Sequence, residues 1–302
     1  MLRLLFLGSS DFAVPVLESL AGSSDISVRA VVTRPDSRAG RGRVPSSTPV
    51  AHAAHSLGIP LMQPEKLEKE CFEGLEADVM LSAAYGQWLP SWLLGCTGLG
   101  VVNVHPSLLP DFRGAAPVTR TILAGRELTG VSFMLTDSGW DTGPVIHSVR
   151  TGVLPGETAG ELSARLSRLA AEAAPIVLLG YARGELLPIP QAGSGTYAGK
   201  VSREDAELDW SRTADELVLA VRAFNPSPGA WCVFNGKILK VYRAAATAGT
   251  GVPGTFSIMG KERITVVTGH GALELLEVQP ESGRRMDTAT FLRGLRAEPV
   301  RE

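Results

Sequence analysis

Cysteine is scarce in this 302-residue chain, and the few cysteines present are far apart. Cys71, Cys96 and Cys232 form no C-x-x-C pair, and their number is odd. Neither a disulfide framework nor a zinc site is expected, because both need matched sets of closely spaced ligands. A chain of this kind fits a reducing compartment, so the sequence predicts a cytoplasmic protein.

Long apolar runs and an excess of one charge are also missing. The apolar start MLRLLFLG is followed at once by Ser9, Ser10 and Asp11, which is not the pattern of a secretory signal. No run of about 18 apolar residues occurs, so no membrane span or membrane partner is expected. The formal net charge of −2 gives no overall basic field of the kind that marks many nucleic-acid-binding proteins.

Two common nucleotide-binding motifs are absent. The turn after the first apolar run is GSSDFAVP and not G-x-G-x-x-G, so the dinucleotide fingerprint is lacking and NAD is not expected. The phosphate-binding pattern G-x-x-x-x-G-K-[ST] does not occur either.

What the first part of the chain does contain is an alternation of apolar strands and helical segments. The strands are LRLLFLG, ISVRAVVT, ADVMLSAAYG and LGVVNVHP, and FAVPVLESLAG and TPVAHAAHSLG have helical spacing. This alternation predicts a doubly wound α/β sheet, in which ligands bind beyond the carboxyl ends of the strands. Residues 160–186 form another strongly helical stretch.

The composition changes in the last third of the chain. Residues 189–205 are rich in Gly, Ser and Pro, which is typical of a linker. Short strands separated by glycine turns follow, and FNGK carries the Asn-Gly signal of a β-hairpin. This pattern predicts a small β-barrel as the second domain.

A polar cluster follows one of the predicted strands, in NVHPSLLP, where Asn103 and His105 are two residues apart. Such side chains point to the same face of a strand, so the amide and the imidazole should face one crevice. Histidine transfers protons near neutral pH, and an asparagine amide can donate a hydrogen bond to an oxyanion. The structural alternative is a buried histidine whose ring nitrogens are satisfied by backbone groups.

A second candidate segment, LTDSGWDTG, carries Asp137 and Asp141 in a glycine-rich loop. An aspartate beside His105 would fix the tautomer of the imidazole and favour its charged form. The alternative is an Asx-turn, in which the carboxylate serves only its own loop.

Together these motifs resemble the folate-dependent formyltransferase family. The family pattern has Asn two residues before His, then SLLP, then an aspartate in a distant D-x-G-x-D-x-G loop, and residues 103–110 and 141 match it. Further segments resemble the branch that acts on methionyl-tRNA: FLGSSDFAVPVLESL, TRPDSRAGRGR, AYGQWLP, FRGAAPVTR, LDWSRTADEL, AFNPSPGAW and LLEVQP. The resemblance implies a Rossmann-like formyltransferase domain at residues 1–188, a linker at 189–205 and an OB-like, tRNA-binding β-barrel at 206–302.

The resemblance also implies an activity. The chain would transfer the formyl group of 10-formyltetrahydrofolate to the free amino group of methionine on initiator methionyl-tRNA, for translation initiation. Asn103 and His105 would stabilise the tetrahedral oxyanion, and His105 would also carry a proton towards the leaving folate nitrogen. Asp141 would orient His105 and raise its proton affinity. Neither an enzyme nucleophile nor a metal ion is required.

Two further groups of residues match segments that bind substrates in the family. The folate would be bound by Ser107, Leu108, Leu109 and Pro110, together with Tyr85 and Gly86. For the two leucines and for the tyrosine, plain core packing is the alternative. The tRNA would be bound by Arg34, Arg41 and Arg43 on a basic loop and by Lys237 and Lys240 in the barrel.

A solvated charged surface is the alternative for each of these basic residues. After Arg43 the chain reads VPSSTPV, where the family commonly carries lysines and bulky apolar residues, so the grip of the basic loop differs from that of its relatives. We expect the protein to be a monomer.

Three other functions were weighed. A formyltransferase acting on a nucleotide-linked amino sugar, or a hydrolase releasing formate, would share the same Asn, His and Asp. A non-catalytic RNA-binding protein would use the barrel alone. The intact set of Asn103, His105 and Asp141 favours an enzyme, and the G-R-G loop with AFNPSPGAW favours tRNA as the acceptor.

Overall fold

The apolar run at the start of the chain forms the central strand of a seven-stranded sheet, as its composition predicts. In this computed structural model, which describes residues 1–39 and 44–295, the strand spans Leu2–Gly8 and is buried from Leu4 onwards. It pairs with a parallel strand on each side, so both of its faces and both of its edges are covered. That environment explains the continuous apolar sequence.

Strands and helices alternate through the first part of the chain. In chain order the elements are β1 (Leu2–Gly8), α1 (Ala13–Ala21), β2 (Ile26–Val32), β3 (Ser37–Ala39), β4 (Val44–Ser46), α2 (Pro49–Leu57), β5 (Leu61–Met62), β6 (Val79–Ala83), α3 (Ser91–Leu94), β7 (Val101–His105), α4 (Pro117–Leu123), β8 (Leu128–Leu135), β9 (Val145–Gly152) and α5 (Ala159–Ala182). A 3-10 turn spans Lys69–Phe72. The α/β alternation predicted from the sequence is confirmed.

The order of strands in the large sheet is β5-β2-β1-β6-β7-β8-β9. The pairings from β5 to β7 are parallel, whereas β8 and β9 run antiparallel at the edge. From β1 the chain first builds outwards through β2 and then returns to the other side at β6. In sheets of this kind the reversal leaves a crevice at the carboxyl ends of the strands, and β7 ends beside it, at His105.

Local sequence signals fix the helix ends. Helix α1 buries Ala13, Val16, Leu17 and Leu20 on one face and ends at Gly22. Helix α2 begins after Thr48, whose hydroxyl accepts a hydrogen bond from the Ala51 amide at 3.1 Å. Both boundaries follow the helical spacing and the caps visible in the sequence.

The chain divides into two compact units that are discontinuous in sequence. The first unit contains residues 1–117, 128–152 and 163–198. The second contains residues 118–127, 153–162 and 199 onwards. Two early segments of the chain therefore belong to the unit that the C-terminal part completes.

The second unit contains an antiparallel sheet with two helices. Its elements are α6 (Ala214–Ala223), β10 (Ala230–Phe234), β11 (Lys237–Thr247), β12 (Phe256–Met259), β13 (Arg263–Val267), β14 (Ala272–Pro280), β15 (Met286–Asp287) and α7 (Thr288–Gly294), preceded by a 3-10 turn at Glu204–Ala206. Asn235 and Gly236 form the predicted hairpin turn, with φ of 49° and 71°. The order β10-β11-β14-β13-β12, with β15 added to β14, is that of an open sheet among the described strands.

The core of the second unit joins its helices to its sheet. Phe234 of β10 lies edge-on to Phe256 and to Phe291, with ring centroids 5.2 and 5.8 Å apart. Helix α6 begins with a complete capping box, in which the Thr213 and Glu216 side chains each bond the other residue's amide. No helix in the described part of the chain has both the length and the apolar character needed to cross a bilayer.

Gly130 in β8 provides a test of the packing between the large sheet and the SLLP segment. A Cβ atom at this position would overlap the carbonyl oxygen of Val149 and lie 2.6 Å from Cδ2 of Leu108. We expect Gly130→Ala to lower the free energy of unfolding by about 1–3 kcal/mol, the usual cost of overpacking, because a backbone oxygen cannot move aside without disturbing β9. Urea unfolding measures the effect.

Gly95→Ala is the control, since an added Cβ there meets nothing within 4 Å. Equal stability of the two variants would contradict this account of the β8–β9 contact.

Candidate active site

Strand β7 places two of the predicted catalytic side chains on one face. Asn103 is half-buried and His105 is 4% exposed. The strand lies between β6, which is parallel to it, and β8, which is antiparallel. Because β7 is hydrogen-bonded on both edges, the positions of its side chains are well defined, and both point towards the loop that follows β8.

The carboxylate of Asp141 lies between these two side chains. Its Oδ1 is 3.5 Å from Nδ2 of Asn103, and its Oδ2 is 3.5 Å from Nδ1 of His105. The Gly114 amide donates a shorter hydrogen bond, of 2.8 Å, to Oδ2. The structure therefore brings the three predicted catalytic residues together, with distances among their side chains that are long for hydrogen bonds. Catalytic groups often show such loose contacts before substrate binds.

The other ring nitrogen of His105 determines its tautomer. Nε2 lies 2.9 Å from the carbonyl oxygen of Phe112. A carbonyl oxygen can only accept, so Nε2 carries the hydrogen in the neutral ring. Nδ1 is then an unprotonated nitrogen facing Asp141, and the sequence-based alternative of a backbone-satisfied histidine applies to one nitrogen only.

Burial also sets the charge of His105. Removal of the imidazole from water lowers its pKa below the ordinary value of 6.5, while the Asp141 carboxylate and the Phe112 carbonyl act in the opposite direction. The sequence predicted that Asp141 favours the charged ring; this influence is present, but burial outweighs it. The resting imidazole is neutral.

The loop between β8 and β9 separates the roles of its two aspartates. Asp137 accepts hydrogen bonds from the Gly139 amide at 3.0 Å and from the Thr142 hydroxyl at 2.8 Å, so it serves its own loop. Asp141 has a φ of 51°, in the left-handed region, and its carboxylate is directed away from the loop. The Asx-turn alternative is thus correct for Asp137 and not for Asp141.

The predicted folate segment is fixed to the neighbouring strand. Ser107 is buried, and its hydroxyl donates to the carbonyl of Asp111 at 2.6 Å. Ser132 of β8 donates to the Ser107 carbonyl at 2.7 Å and accepts from the Leu109 amide at 3.1 Å. Leu108, Leu109 and Pro110 remain partly exposed.

Tyr85 and Gly86 differ in their surroundings. The Tyr85 side chain is 2% exposed and packs in the hydrophobic core, which raises its pKa to about 12. Its ring therefore occupies the core position that was the alternative to folate contact. Gly86 is exposed, has a φ of 80°, and lies beside the guanidinium of Arg34.

The predicted tRNA-binding residues are only partly described. Arg41 and Arg43 lie outside the described residues. Arg34 is exposed, and its amide donates to the Ser9 hydroxyl at 3.2 Å. In the second unit, Lys237 is exposed, whereas the Lys240 ammonium donates to the Pro228 carbonyl at 2.7 Å.

Sequence reasoning missed two features beside the site. One is the segment after α5, residues 189–198, which was expected to be a linker with little structure; Gln191 and Thr196 in it form hydrogen bonds with the loops around His105. The other is an exposed aromatic pair: Trp88 and Trp140 are 52% and 59% exposed, with ring centroids 4.9 Å apart. A tryptophan in each of AYGQWLP and DSGWDTG was the available signal for the pair. The linker's Gly- and Ser-rich composition gave no comparable signal.

Metal ligands were also sought. Within residues 1–39 and 44–295, no group of three or more His, Cys, Asp or Glu side chains is arranged to hold a metal ion.

The state of His105 generates a prediction. We expect its imidazole to titrate below the ordinary pKa of 6.5 and to carry its hydrogen on Nε2 at neutral pH. The unfolded chain then binds more protons than the folded chain as the pH drops below about 6.5, so the free energy of unfolding decreases there. Nitrogen-15 NMR of the histidine rings across pH measures both properties, and the signal missing from His105→Gln identifies the residue. A pKa at or above 6.5, or a hydrogen on Nδ1, would contradict the assignment.

Comparison with known protein families covers both parts of the chain. The family described as "Formyl transferase" matches residues 2–178, and "Formyl transferase, C-terminal domain" matches residues 200–296. A protein from Myxococcus xanthus named methionyl-tRNA formyltransferase is 43% identical over 302 residues, which cover 98% of this chain and 96% of that protein.

Solved structures with the same fold have much lower identity. The N-formyltransferase of Helicobacter canadensis, solved with folinic acid and dTDP-3-aminofucose, has a TM-score of 0.68 at 17% identity and covers 95% of this chain and 100% of its own. HypX of Aquifex aeolicus, solved with tetrahydrofolic acid, has a TM-score of 0.64 at 17% identity over 99% of this chain. The match covers 49% of HypX, so this chain spans about half its length. Taken with the two family matches and the full-length relative, the fold and the Asn103–His105–Asp141 cluster lead to one assignment: the chain belongs to the formyl transferase family.

Proposed function

We propose that this protein transfers the formyl group of 10-formyltetrahydrofolate to the amino group of methionine on initiator methionyl-tRNA. The observation that carries the proposal is the meeting of Asn103, neutral His105 and Asp141 at the end of a central strand. The full-length relative named methionyl-tRNA formyltransferase supports the choice of acceptor. The product serves translation initiation, which also places the protein in the cytoplasm.

The first chemical step needs a base. When the methionine amine attacks the formyl carbon, a C–N bond forms and the nitrogen must lose a proton. The bond from Nε2 of His105 to the Phe112 carbonyl leaves Nδ1 as the basic nitrogen of the ring. Nδ1 accepts this proton, and Asp141, whose Oδ2 is 3.5 Å away, stabilises the resulting imidazolium.

The second need is stabilisation of the oxyanion that forms when the carbonyl electrons move to oxygen. The Asn103 amide donates to this oxygen, and its resting contact with Asp141 is loose enough, at 3.5 Å, to be exchanged. The imidazolium of His105 adds positive charge beside it. When the bond to the folate nitrogen breaks, the proton on His105 passes to that nitrogen, which releases tetrahydrofolate and restores the neutral ring. No metal ion takes part in these steps.

The formyl donor is assigned to the segments around this centre. Residues 107–110 form a rigid segment anchored on β8, and the exposed Gly86 leaves backbone groups accessible at the end of β6. Trp88 and Trp140 offer aromatic surface of the kind that packs against a flat ring system. Tyr85 supports this wall from the core.

The acceptor is assigned to basic residues in both parts of the chain. Arg34, with Arg41 and Arg43 beyond the described residues, would contact the acceptor arm, while Lys237 would contact phosphates from the second unit. Lys240 has the same role in the proposal, although its ammonium already bonds Pro228. These contacts make binding strongly dependent on salt.

The finer division of the chain belongs to the same proposal. Residues 1–188 carry the catalysis, 189–205 connect the domains, and 206–302 form an OB-like barrel that binds tRNA. The register shifts between β11 and β14, around Arg243, bend the sheet in the direction that a barrel requires. The protein is proposed to act as a monomer.

The first prediction concerns the acceptor. With 10-formyltetrahydrofolate as donor, we expect formyl transfer to methionine-charged initiator tRNA and not to elongator tRNA or to a nucleotide-linked amino sugar. Radiolabelled formyl transfer to the three acceptors, offered in parallel, measures the selectivity. Transfer to the sugar alone would overturn the acceptor, and release of formate without transfer would overturn the transferase assignment.

The second prediction concerns Asn103. We expect Asn103→Ala to lower kcat by about 10²–10³-fold with little change in the KM of either substrate, because the lost amide acts on the oxyanion. Steady-state kinetics at saturating tRNA measures the change. Asn235→Gly, at a hairpin position with a φ of 49° that glycine accepts, is the control and should keep its activity. A loss confined to KM would point instead to a binding role for Asn103.

A further inference from the structure

Residues 189–198, which we call the strap, lie against both loops that contact His105. At its start, Ile189 pairs with Val145 through two hydrogen bonds of 2.8 Å. At its end, Tyr197 forms a bridge with Arg113, and its ring lies against Gly114. All of these residues belong to the first compact unit. The strap is therefore part of the structure that surrounds the candidate site, although its sequence predicted a linker.

The side chain of Gln191 in the strap uses its full set of hydrogen bonds. Its Nε2 donates to the carbonyls of Asp141 and Gly143, each at 2.8 Å. Its Oε1 accepts from Nε and Nη2 of Arg113, at 3.0 and 2.7 Å. Because carbonyls only accept and a guanidinium only donates, the orientation of the amide is determined by its neighbours.

These bonds hold a part of the loop that is unfavourable by itself. Asp141 has a φ of 51°, and a non-glycine residue in the left-handed region costs about 1–3 kcal/mol unless its surroundings impose it. The two donors of Gln191 fix the carbonyl of Asp141 and that of Gly143, two residues further on. The backbone conformation that directs the Asp141 carboxylate towards Asn103 and His105 is thus held from the strap.

The strap also holds the second partner of His105. The Phe112 amide donates to the Thr196 hydroxyl at 2.8 Å, and the Arg113 amide donates to the Thr196 carbonyl at 2.9 Å. Phe112 has a φ of 58°, and its carbonyl is the group that bonds Nε2 of His105. Both groups that face the imidazole, Asp141 and the Phe112 carbonyl, are therefore anchored to one segment.

We propose that Gln191 is a positioning residue of the formyl-transfer centre: by bonding the Asp141 loop, it holds the Asp141 carboxylate against Asn103 and His105. This inference rests on the proposed function for its kinetic consequence, but the geometry it describes does not. Gln191 contacts neither the imidazole nor the Asn103 amide, so its effect passes through Asp141. Of the charged groups in the described chain, Asp141 is the one whose field acts appreciably on His105.

Two substitutions separate the bonds of Gln191. Gln191→Met keeps the length of the side chain and removes every hydrogen bond, whereas Gln191→Glu keeps the acceptor for Arg113 and removes both donors to the loop. We expect both variants to lower kcat by about 10–100-fold, because displacing Asp141 by about 1 Å misaligns the catalytic groups. The KM for the folate donor should change less than threefold.

The matched control is Gln279→Glu in the second unit. The Gln279 amide also donates to a backbone carbonyl, that of Gly283 at 2.9 Å, and accepts from Tyr242 at 3.1 Å. This control removes a comparable donor far along the chain from the Asp141 loop, and its kcat should stay within twofold of the unchanged protein.

A second readout does not depend on catalysis. Nitrogen-15 NMR of His105 across pH should show a lower pKa in Gln191→Met than in the unchanged protein, since the favourable influence of the Asp141 carboxylate is lost. The acidic limb of the pH profile of kcat/KM should move in the same direction.

The outcomes separate this inference from the proposed function. Unchanged kcat and an unchanged His105 titration in Gln191→Met would overturn it, and so would full activity in Gln191→Glu, which would make the Arg113 contact the relevant one. A fall in kcat without any shift in the titration of His105 would show a structural role only and would overturn it too. If the unchanged protein transfers no formyl group, the proposed function fails, while the NMR titration still decides whether Gln191 positions Asp141.

Discussion

The imidazole of His105 lies at the end of a central strand, almost completely removed from water, and this burial constrains everything around it. A charge is costly there, so the resting ring is neutral, and a neutral ring needs one acceptor for its hydrogen and a tolerable neighbour for its lone pair. The Phe112 carbonyl supplies the first, and the Asp141 carboxylate faces the second. The carboxylate becomes a favourable neighbour only when the ring takes up a proton, which links the electrostatics of the site to the movement of a proton through it.

Both partners of the imidazole are presented by backbone in the left-handed region. Phe112 and Asp141 adopt positive φ, and a glycine lies two residues after each, Gly114 and Gly143. A Cβ at Gly143 would overlap the Leu135 carbonyl, so the loop has little freedom to relax. Locally unfavourable conformations of this kind persist when the surrounding structure imposes them, and here the strap does so. The site thus depends on residues that are distant in sequence from those that would touch a substrate.

Much of the fold was predictable because its signals are local. Apolar runs predicted the parallel strands, the Asn-Gly pair predicted the hairpin, and alternation along β7 predicted that Asn103 and His105 share a face. Asp141 was identified through a family pattern and not through physics, since nothing in the loop sequence shows which aspartate turns outwards. The tautomer of His105, the core position of Tyr85 and the contacts of Gln191 all depend on long-range packing, which no local pattern encodes. The same applies to the early segments, residues 118–127 and 153–162, that join the second unit.

The late position of the strap in the chain has a consequence for synthesis on the ribosome. Gln191 follows Asp141 by 50 residues. At elongation rates of about 5–20 residues per second, the nascent chain exists for roughly 3–10 s with the Asp141 loop made and its anchor still missing. During that interval β7 and its neighbours can already pair, but the left-handed backbone at Phe112 and Asp141 has no hydrogen bonds from the strap to hold it. Maturation of the catalytic centre is therefore timed by a segment outside the central sheet, and a chain interrupted before this segment would contain every proposed catalytic residue without the contacts that orient them.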